Sequence, residues 1–348
     1  MSSRPWIVFV GGFLGAGKTT LLLSAARELE SRGLRSAVIL NDQGVALVDT
    51  ELASLRNIQN GQVTGGCFCC RFSQLVEVMG KLRRHAPDVI FAEPVGSCTD
   101  ISATTLHPLM ELGGYRVAPY TVLVDPRRAE SLLREDADPD LAYLFRKQIQ
   151  EADLVCFNKS DIFPEVSAIS VSPVRQISAR DGQGVAAWID EVLSGHLSSG
   201  SVLLDIDYEQ YARAEAALAW LNAQANIRPR IPSFPAFVLG PLLQSLDDDF
   251  STSGIAIVHL KAILRTETGF VKAAICANGE EPAVEGTLSA SAALNHELLL
   301  NLRAIGPANT VREIFERNLS ILDGEISEMR ISSFHPARPQ PEKRVTKA

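Results

Sequence analysis

The chain has 348 residues, a formal net charge of −8 and 46% hydrophobic residues. That length suits one large or two ordinary domains with buried cores, and an acidic balance without a broad basic tract argues against nucleic acid as the main partner. No apolar run approaches the ~18 residues of a membrane span, so no membrane partner is expected. Three of the six cysteines crowd into residues 65–70, a poor disulfide framework because neighbours such as Cys69 and Cys70 rarely meet disulfide geometry. The expected location is the cytoplasm, whose reducing environment favours thiolate chemistry.

Ile7-Val8-Phe9-Val10 reads as a first strand rather than part of a signal peptide, because GGFLGAGKTT at 11–20 follows it directly. Gly12, four residues, Gly17, Lys18 and Thr19 is phosphate-loop spacing. Gly12, Gly15, Ala16 and Gly17 let the backbone N–H groups curl around a β-phosphate, and the helix opening at Lys18, Thr19 and Thr20 presents its N-terminus to the anion. Lys18 adds a point charge to the β/γ oxygens, and Thr19 a hydroxyl to Mg²⁺. Leu21, Leu22, Ala25 and Leu29 keep a helical apolar face that Gly33 can cap.

After a strand at Ala37–Leu40 comes GGCFCC, with Cys67, Cys69 and Cys70. Soft thiolates suit Zn²⁺, Co²⁺ or Cu⁺, but an extended strand would face Cys67 and Cys69 one way and Cys70 the other. A closed structural zinc site would ordinarily need four ligands in two separated pairs, so the incomplete set points to an exchangeable metal. Asp42, His107 and Cys98 are candidate extra ligands, with buried small filler the leading reading of Cys98. Cys156 and Cys276, in apolar strands, read as core.

Asp88–Gly96, DVIFAEPVG, reads as a short buried parallel strand with Glu93 at its carboxyl end, the edge where such sheets bind ligands. Glu93 can hold Mg²⁺ directly or through water, and Gly96 allows close approach to a γ-phosphate. Another strand, Leu154–Phe157, precedes Asn158-Lys159-Ser160-Asp161. The Asp161 carboxylate can accept from guanine N1–H and the 2-amino group, whereas adenine would leave it unpaired at a cost of about 1–3 kcal/mol. GTP is therefore favoured over ATP. Ser178 and Ala179, after Val174–Ile177, are placed to offer a backbone N–H to guanine O6.

Strands alternating with helical patterns from Trp6 to about Gly195 predict an α/β P-loop domain, a parallel sheet flanked by helices, at 1–195. The Ser/Gly-rich 195–200 marks its boundary. A helix around Glu209–Asn222, the proline-broken Arg228–Pro235 and an acidic turn at Asp247–Asp249 read as a connector over 196–253. A smaller α+β domain is expected at 254–335, with strands Ile255–Leu264 and Phe270–Ala277, a helix at Asn309–Leu322 and a last strand at Ile326–Phe334. Residues 336–348, with three prolines and no apolar periodicity, are expected to be mobile.

The order GGFLGAGKTT, LNDQG, GGCFCC, EPVG and NKSD resembles the CobW-type P-loop GTPases, linked to metal delivery and cobalamin synthesis. GGCFCCRF and the ending SFHPARP resemble most the branch that includes nitrile hydratase activator proteins. By this likeness Asn41-Asp42-Gln43-Gly44 occupies the first switch, Asp42 falls on the acidic metal-contact position, and Asp49 lies in the same switch. The resemblance implies that Lys18, Asp42 and Glu93 serve catalysis, that GTP, Mg²⁺ and Zn²⁺ or Co²⁺ are the cofactors, and that a client metalloprotein or cobalamin-related enzyme is the partner. Only 6 scattered histidines argue against bulk metal storage. No arginine finger stands out, Gln43 is the nearest water-positioning candidate, and slow turnover is expected. Three rival readings stay open. They are a G protein guarding a corrinoid or metal enzyme without carrying metal, a small-molecule kinase, and a zinc-stabilised scaffold.

Overall fold

The structure, a computed structural model, describes residues 4–44, 47–164, 169, 175–320 and 322–346. It divides into one unit of Met1–Gln43, Asp49–Ala214 and Arg338–Ala348 and a second of Gly44–Val48 and Glu215–Ala337.

In the first unit strands and helices alternate as the sequence pattern requires. They run β1 (Trp6–Gly12), α1 (Lys18–Ser31), β2 (Ser36–Asp42), α2 (Val48–Leu55), β3 (Asn60–Thr64), α3 (Phe72–Arg83) and β4 (Val89–Glu93). A π-helical stretch, Ser102–Leu106, leads into α4 (His107–Leu112), followed by β5 (Arg116–Val117), β6 (Thr121–Val124), α5 (Pro126–Leu133) and α6 (Pro139–Glu151). Then come β7 (Leu154–Phe157), β8 (Arg175–Gln176), α7 (Val185–Val192) and α8 (Tyr208–Ala216). The sheet order is β3-β2-β4-β1-β6-β7-β8 with β5 beside the start of β1, and every pairing is parallel. Ile7, Val8, Phe9 and Val10 are completely buried because β1 is central and covered on both faces. The carboxyl ends of β1, β2, β4 and β7 therefore open on one edge, where such sheets bind ligands. The edge strand β3, polar and glycine-bearing, was not marked by apolar pattern. Val174 lies outside the described residues, and Arg175–Gln176 form the short last strand.

The second unit is an antiparallel sheet, order β12-β11-β10-β13-β9-β14, carrying two helices. Its elements are β9 (Leu218–Pro229), α9 (Pro235–Thr252), β10 (Ala256–Thr266), β11 (Gly269–Ile275), β12 (Ala283–Gly286), β13 (His296–Ile305), α10 (Ala308–Ser320) and β14 (Gly324–Phe334). Leu239, Leu246 and Phe250 of α9 and Ile314 and Phe315 of α10 join Leu260, Leu300 and Leu302 of the strands in one core.

This corrects the connector expected at 196–253. From Glu215 onward it belongs to the second unit, since β9 pairs along its length with both β13 and β14. The expected helix stops at Ala216, because the next stretch, LAWLNAQANI, has both faces covered over its first half and so shows no two-residue alternation. Asp247–Asp249 is no turn but the last part of α9. Those acids are placed against the helix dipole, yet Asp249 accepts from Arg317 and Asn318 and Asp247 accepts from the Gly279 N–H.

The segment expected to be mobile is held to the first unit. The Glu342 N–H donates to the Cys69 carbonyl at 2.9 Å, the Val345 N–H to the Ala103 carbonyl at 2.9 Å, and Arg338 pairs with Glu209 at 2.6 Å. Composition missed this because the segment uses backbone bonds and charges rather than apolar periodicity. Among the described residues no helix is long and apolar enough to cross a membrane.

Candidate functional site

The turn from β1 into α1 is closed by the Ala16 N–H donating to the Phe13 carbonyl at 3.1 Å. Gly17 takes a left-handed φ of 91°, and a Cβ there would stand 2.3 Å from Asn158 Nδ2, so both backbone and space demand glycine. The Lys18 side chain folds back over the loop, donating to the Gly12 carbonyl at 2.8 Å, and lies 3.9 Å from Glu93 Oε1. Thr19 Oγ1 donates to Glu93 Oε2 at 2.8 Å. The two residues read from sequence as magnesium ligands, 74 positions apart, are thus in contact and buried. Gly96 sits over Lys18: a Cβ on it would come within 3.1 Å of Nζ.

The segments expected from sequence to read the base converge on the same edge. Asn158 Nδ2 donates to the Ala16 carbonyl at 2.8 Å while its Oδ1 accepts the Ala179 N–H at 2.9 Å, which ties the phosphate loop to the Ser178-Ala179 turn. Lys159, with φ of 65°, is anchored by Asp125 at 2.5 Å. Asp161 is left exposed in the turn after β7, free to meet a ligand. Asp125, which also caps α5, was not singled out in the sequence; its position before Pro126, as a helix N-cap, is the signal that could have found it.

The cysteines depart from expectation in geometry. GGCFCC is a turn between β3 and α3, not an extended strand, because the Cys67 carbonyl accepts the N–H groups of both Cys70 and Arg71 at 3.0 Å. The turn brings the ligand atoms of Cys67, Cys69 and Cys70 within 4.8 Å of one another, with Cys67 and Cys69 buried and Cys70 partly exposed. Cys67 Sγ lies 3.2 Å from Cys70 Sγ. Phe68 anchors the turn by packing edge-on against Phe9, with ring centroids 5.9 Å apart.

Asn41, at the end of β2, holds this turn with its whole amide. Nδ2 donates to the carbonyls of Val63 at 3.0 Å and Gly66 at 2.7 Å, and Oδ1 accepts the Phe68 N–H at 2.9 Å. Hydrogen bonding with Cys67, Cys70 and Cys98, together with burial, raises the Cys69 thiol well above its ordinary range. The interaction with Cys67 and partial burial push Cys70 up to about 11. These thiols are protonated at neutral pH, so a metal that binds them must displace protons.

Asp42 ends β2 opposite Thr64, but its carboxylate is not among the ligand atoms brought together with the thiols. His107 is turned to the Gly200 carbonyl at 2.9 Å. Cys98 is 1% exposed and interacts with the thiols of Cys67 and Cys69, although it too stands outside the group of ligand atoms within 4.8 Å of one another. Gln148 and Tyr211, which sequence gave no reason to choose, shape its loop. Gln148 Nε2 donates to the carbonyls of Gly96 and Cys98, both at 2.9 Å, and the Tyr211 hydroxyl lies 3.5 Å from Cys98 Sγ. The C-terminal segment covers the outer side, with the Gln340 N–H donating to Cys70 Sγ at 3.2 Å.

Residues 6–182 match the family model described as CobW/HypB/UreG, nucleotide-binding domain. The chain is 32% identical over 187 residues to the zinc chaperone CobW of Pseudomonas aeruginosa, covering 44% of this chain and 48% of that protein. It is 26% identical over 214 residues to the zinc-regulated GTPase metalloprotein activator 1 of Schizosaccharomyces pombe, covering 58% and 49%. The matches thus span about half the length of these relatives. Among solved structures, HypB from Helicobacter pylori in complex with nickel aligns with 57% of this chain and 92% of its own at 18% identity and a TM-score of 0.44. The chain belongs to the CobW/HypB/UreG family, with the nucleotide-binding domain at residues 6–182.

Proposed function

We propose that this protein is a Mg²⁺-dependent GTPase that binds a transition metal, zinc or cobalt, on the cysteine turn and delivers it to a client metalloprotein or cobalamin-related enzyme under control of the nucleotide. The observation that carries this reading is the three-thiol cluster held, through Asn41, by the strand that leads into the first switch. The relatives named as a zinc chaperone and a zinc-regulated GTPase support it.

GTP enters with its phosphates in the loop 12–19, where Lys18 exchanges its bonds to the Gly12 and Phe13 carbonyls for phosphate oxygens. Thr19 and Glu93 fit Mg²⁺, which when bound neutralises charge on the phosphates. Asp161 selects guanine, and Asn158 keeps the base turn and phosphate loop in register. With Asp42 at the end of β2 and Gly96 after β4, both strands that flank the γ-phosphate position end near the cysteine turn or on a loop that touches it. A change in phosphate occupancy is thereby transmitted to the thiols. Turnover is slow until a partner completes the site.

The test is phosphate release from GTP with and without Mg²⁺, for the unmutated protein and Lys18→Ala, with no acceptor added. Hydrolysis that needs both Mg²⁺ and Lys18 supports the reading, whereas transfer only to an added acceptor would make the protein a kinase.

A further inference from the structure

Cys98 lies outside the GGCFCC turn and outside the group of sulfurs that lie within 4.8 Å of one another, yet its buried thiol interacts with those of Cys67 and Cys69. Its surroundings differ from those of Cys156, which is also buried but sits within the strand β7 with no thiol beside it. A cysteine that only fills space needs neither a polar neighbour nor a fixed backbone. Cys98 has both: the Tyr211 hydroxyl is directed at its sulfur at 3.5 Å, and Gln148, itself 1% exposed, clamps the carbonyls of Cys98 and Gly96. The Cys98 N–H closes a turn onto the Val95 carbonyl at 2.9 Å. A buried amide thus fixes the backbone at Cys98, and a buried phenol is directed at its sulfur.

We propose that Cys98 is a fourth thiolate ligand, so that the metal is held by Cys67, Cys69 and Cys70 from the turn before α3 and by Cys98 from the loop after Glu93. This deepens the metal-delivery reading and rests on it. Four sulfurs from two separate segments form the donor set of a tetrahedral zinc-type site. On binding, each thiol gives its proton to solvent as its sulfur–metal bond forms, and water leaves the ion. The doubly negative tetrathiolate that results has donors already aimed at it, the Gln340 N–H at Cys70 and the Tyr211 O–H at Cys98.

The position of Cys98 gives this ligand a distinct task. It is two residues from Gly96, which stands over the Lys18 ammonium, and one Gln148 side chain holds both residues. Three ligands thus ride on the turn latched to β2, and the fourth rides on the loop that reads the γ-phosphate. When hydrolysis moves that loop, Cys98 is withdrawn and the metal falls to three thiolates, a set from which a client can take it.

Zinc K-edge X-ray absorption on the unmutated full-length protein, loaded with Zn²⁺ and a non-hydrolysable GTP analogue, counts the sulfurs directly. Four are expected, and three with an oxygen or nitrogen neighbour would overturn the assignment. In Co²⁺ titrations Cys98→Ser and Cys98→Ala should lower thiolate-to-cobalt charge-transfer intensity by about a quarter and weaken affinity about 10–100-fold. Both should also lose most of the difference in affinity between the GTP analogue and GDP. If these variants keep the full band while serine at Cys67, Cys69 and Cys70 together abolishes it, the metal-delivery reading stands and the fourth ligand is refuted. No band in the unmutated protein would refute both.

Discussion

The Asn41 side chain accepts the Phe68 N–H at 2.9 Å, and so joins the end of strand β2 to the middle of the cysteine motif. The residue is 7% exposed and its amide also donates to the Val63 and Gly66 carbonyls, so one side chain satisfies two backbone groups of the turn and one at the end of β3. Asn41→Ala should therefore cost about 1–3 kcal/mol, the penalty for leaving buried groups unpaired. Asn41→Asp should cost more, because a carboxylate oxygen would then face two carbonyls. Urea unfolding measures both, and an Asn41→Ala midpoint equal to that of the unmutated protein would show that the latch carries no energy.

The proposed selection of guanine assigns the base contact to Asp161, exposed after β7 beside a turn that Asn158 fixes. Asp161→Asn should weaken GTP binding by about 10–100-fold, the loss of a charged pair of acceptors, and should raise affinity for xanthine nucleotide, whose 2-oxygen can accept from the amide. Competition between GTP, ATP and xanthosine triphosphate reads this directly. Equal binding of GTP and ATP by the unmutated protein would contradict the assignment.

Glu151 ends α6 completely buried, accepting the Ser102 N–H at 2.5 Å and the Thr99 hydroxyl at 3.3 Å on the segment that follows Cys98. Burial pushes its carboxyl up to about 8, from 4.5 in the unfolded chain. The native state therefore keeps a proton that the unfolded chain gives up. The stability this provides is complete below about pH 4.5 and is lost as pH rises towards 8, at up to ~1.4 kcal/mol per pH unit. Glu151→Gln, which cannot ionise, should gain on the unmutated protein as pH rises from 5.5 to 8 in denaturant melts. Parallel pH profiles for the two would contradict the buried acid.

That the phosphate-loop segment, Glu93 and Asn158 would meet at one edge of the sheet was legible in sequence, because each lies at the end of a strongly apolar strand. The cysteine motif stood out in sequence, but its clustering did not, since its turn depends on the Cys67 carbonyl and on Asn41, 26 positions before Cys67 in the chain. The second unit read poorly. β9 has little alternation because both its faces are covered at first, and β13 mixes buried Asn301 and Arg303 with leucines, which hides its two-residue period. The docking of the last residues could not be read at all. It depends on Arg344 meeting the buried Asp100 carboxylate at 2.7 Å and on Glu342 capping the start of α3 through Ser73, pairings between residues far apart in sequence.

The coupling of nucleotide to metal is the central claim, and titration of Co²⁺ into the protein with a non-hydrolysable GTP analogue, with GDP and without nucleotide tests it most directly. The affinities should differ by about fivefold or more between the analogue and GDP, and Co²⁺ should change analogue affinity relative to GDP by the same factor, because linkage is reciprocal. Thiolate-to-cobalt absorbance should accompany binding and disappear when Cys67, Cys69 and Cys70 are changed to serine. One and the same Co²⁺ affinity in all three nucleotide states would contradict the account and leave the thiols as a site independent of GTP.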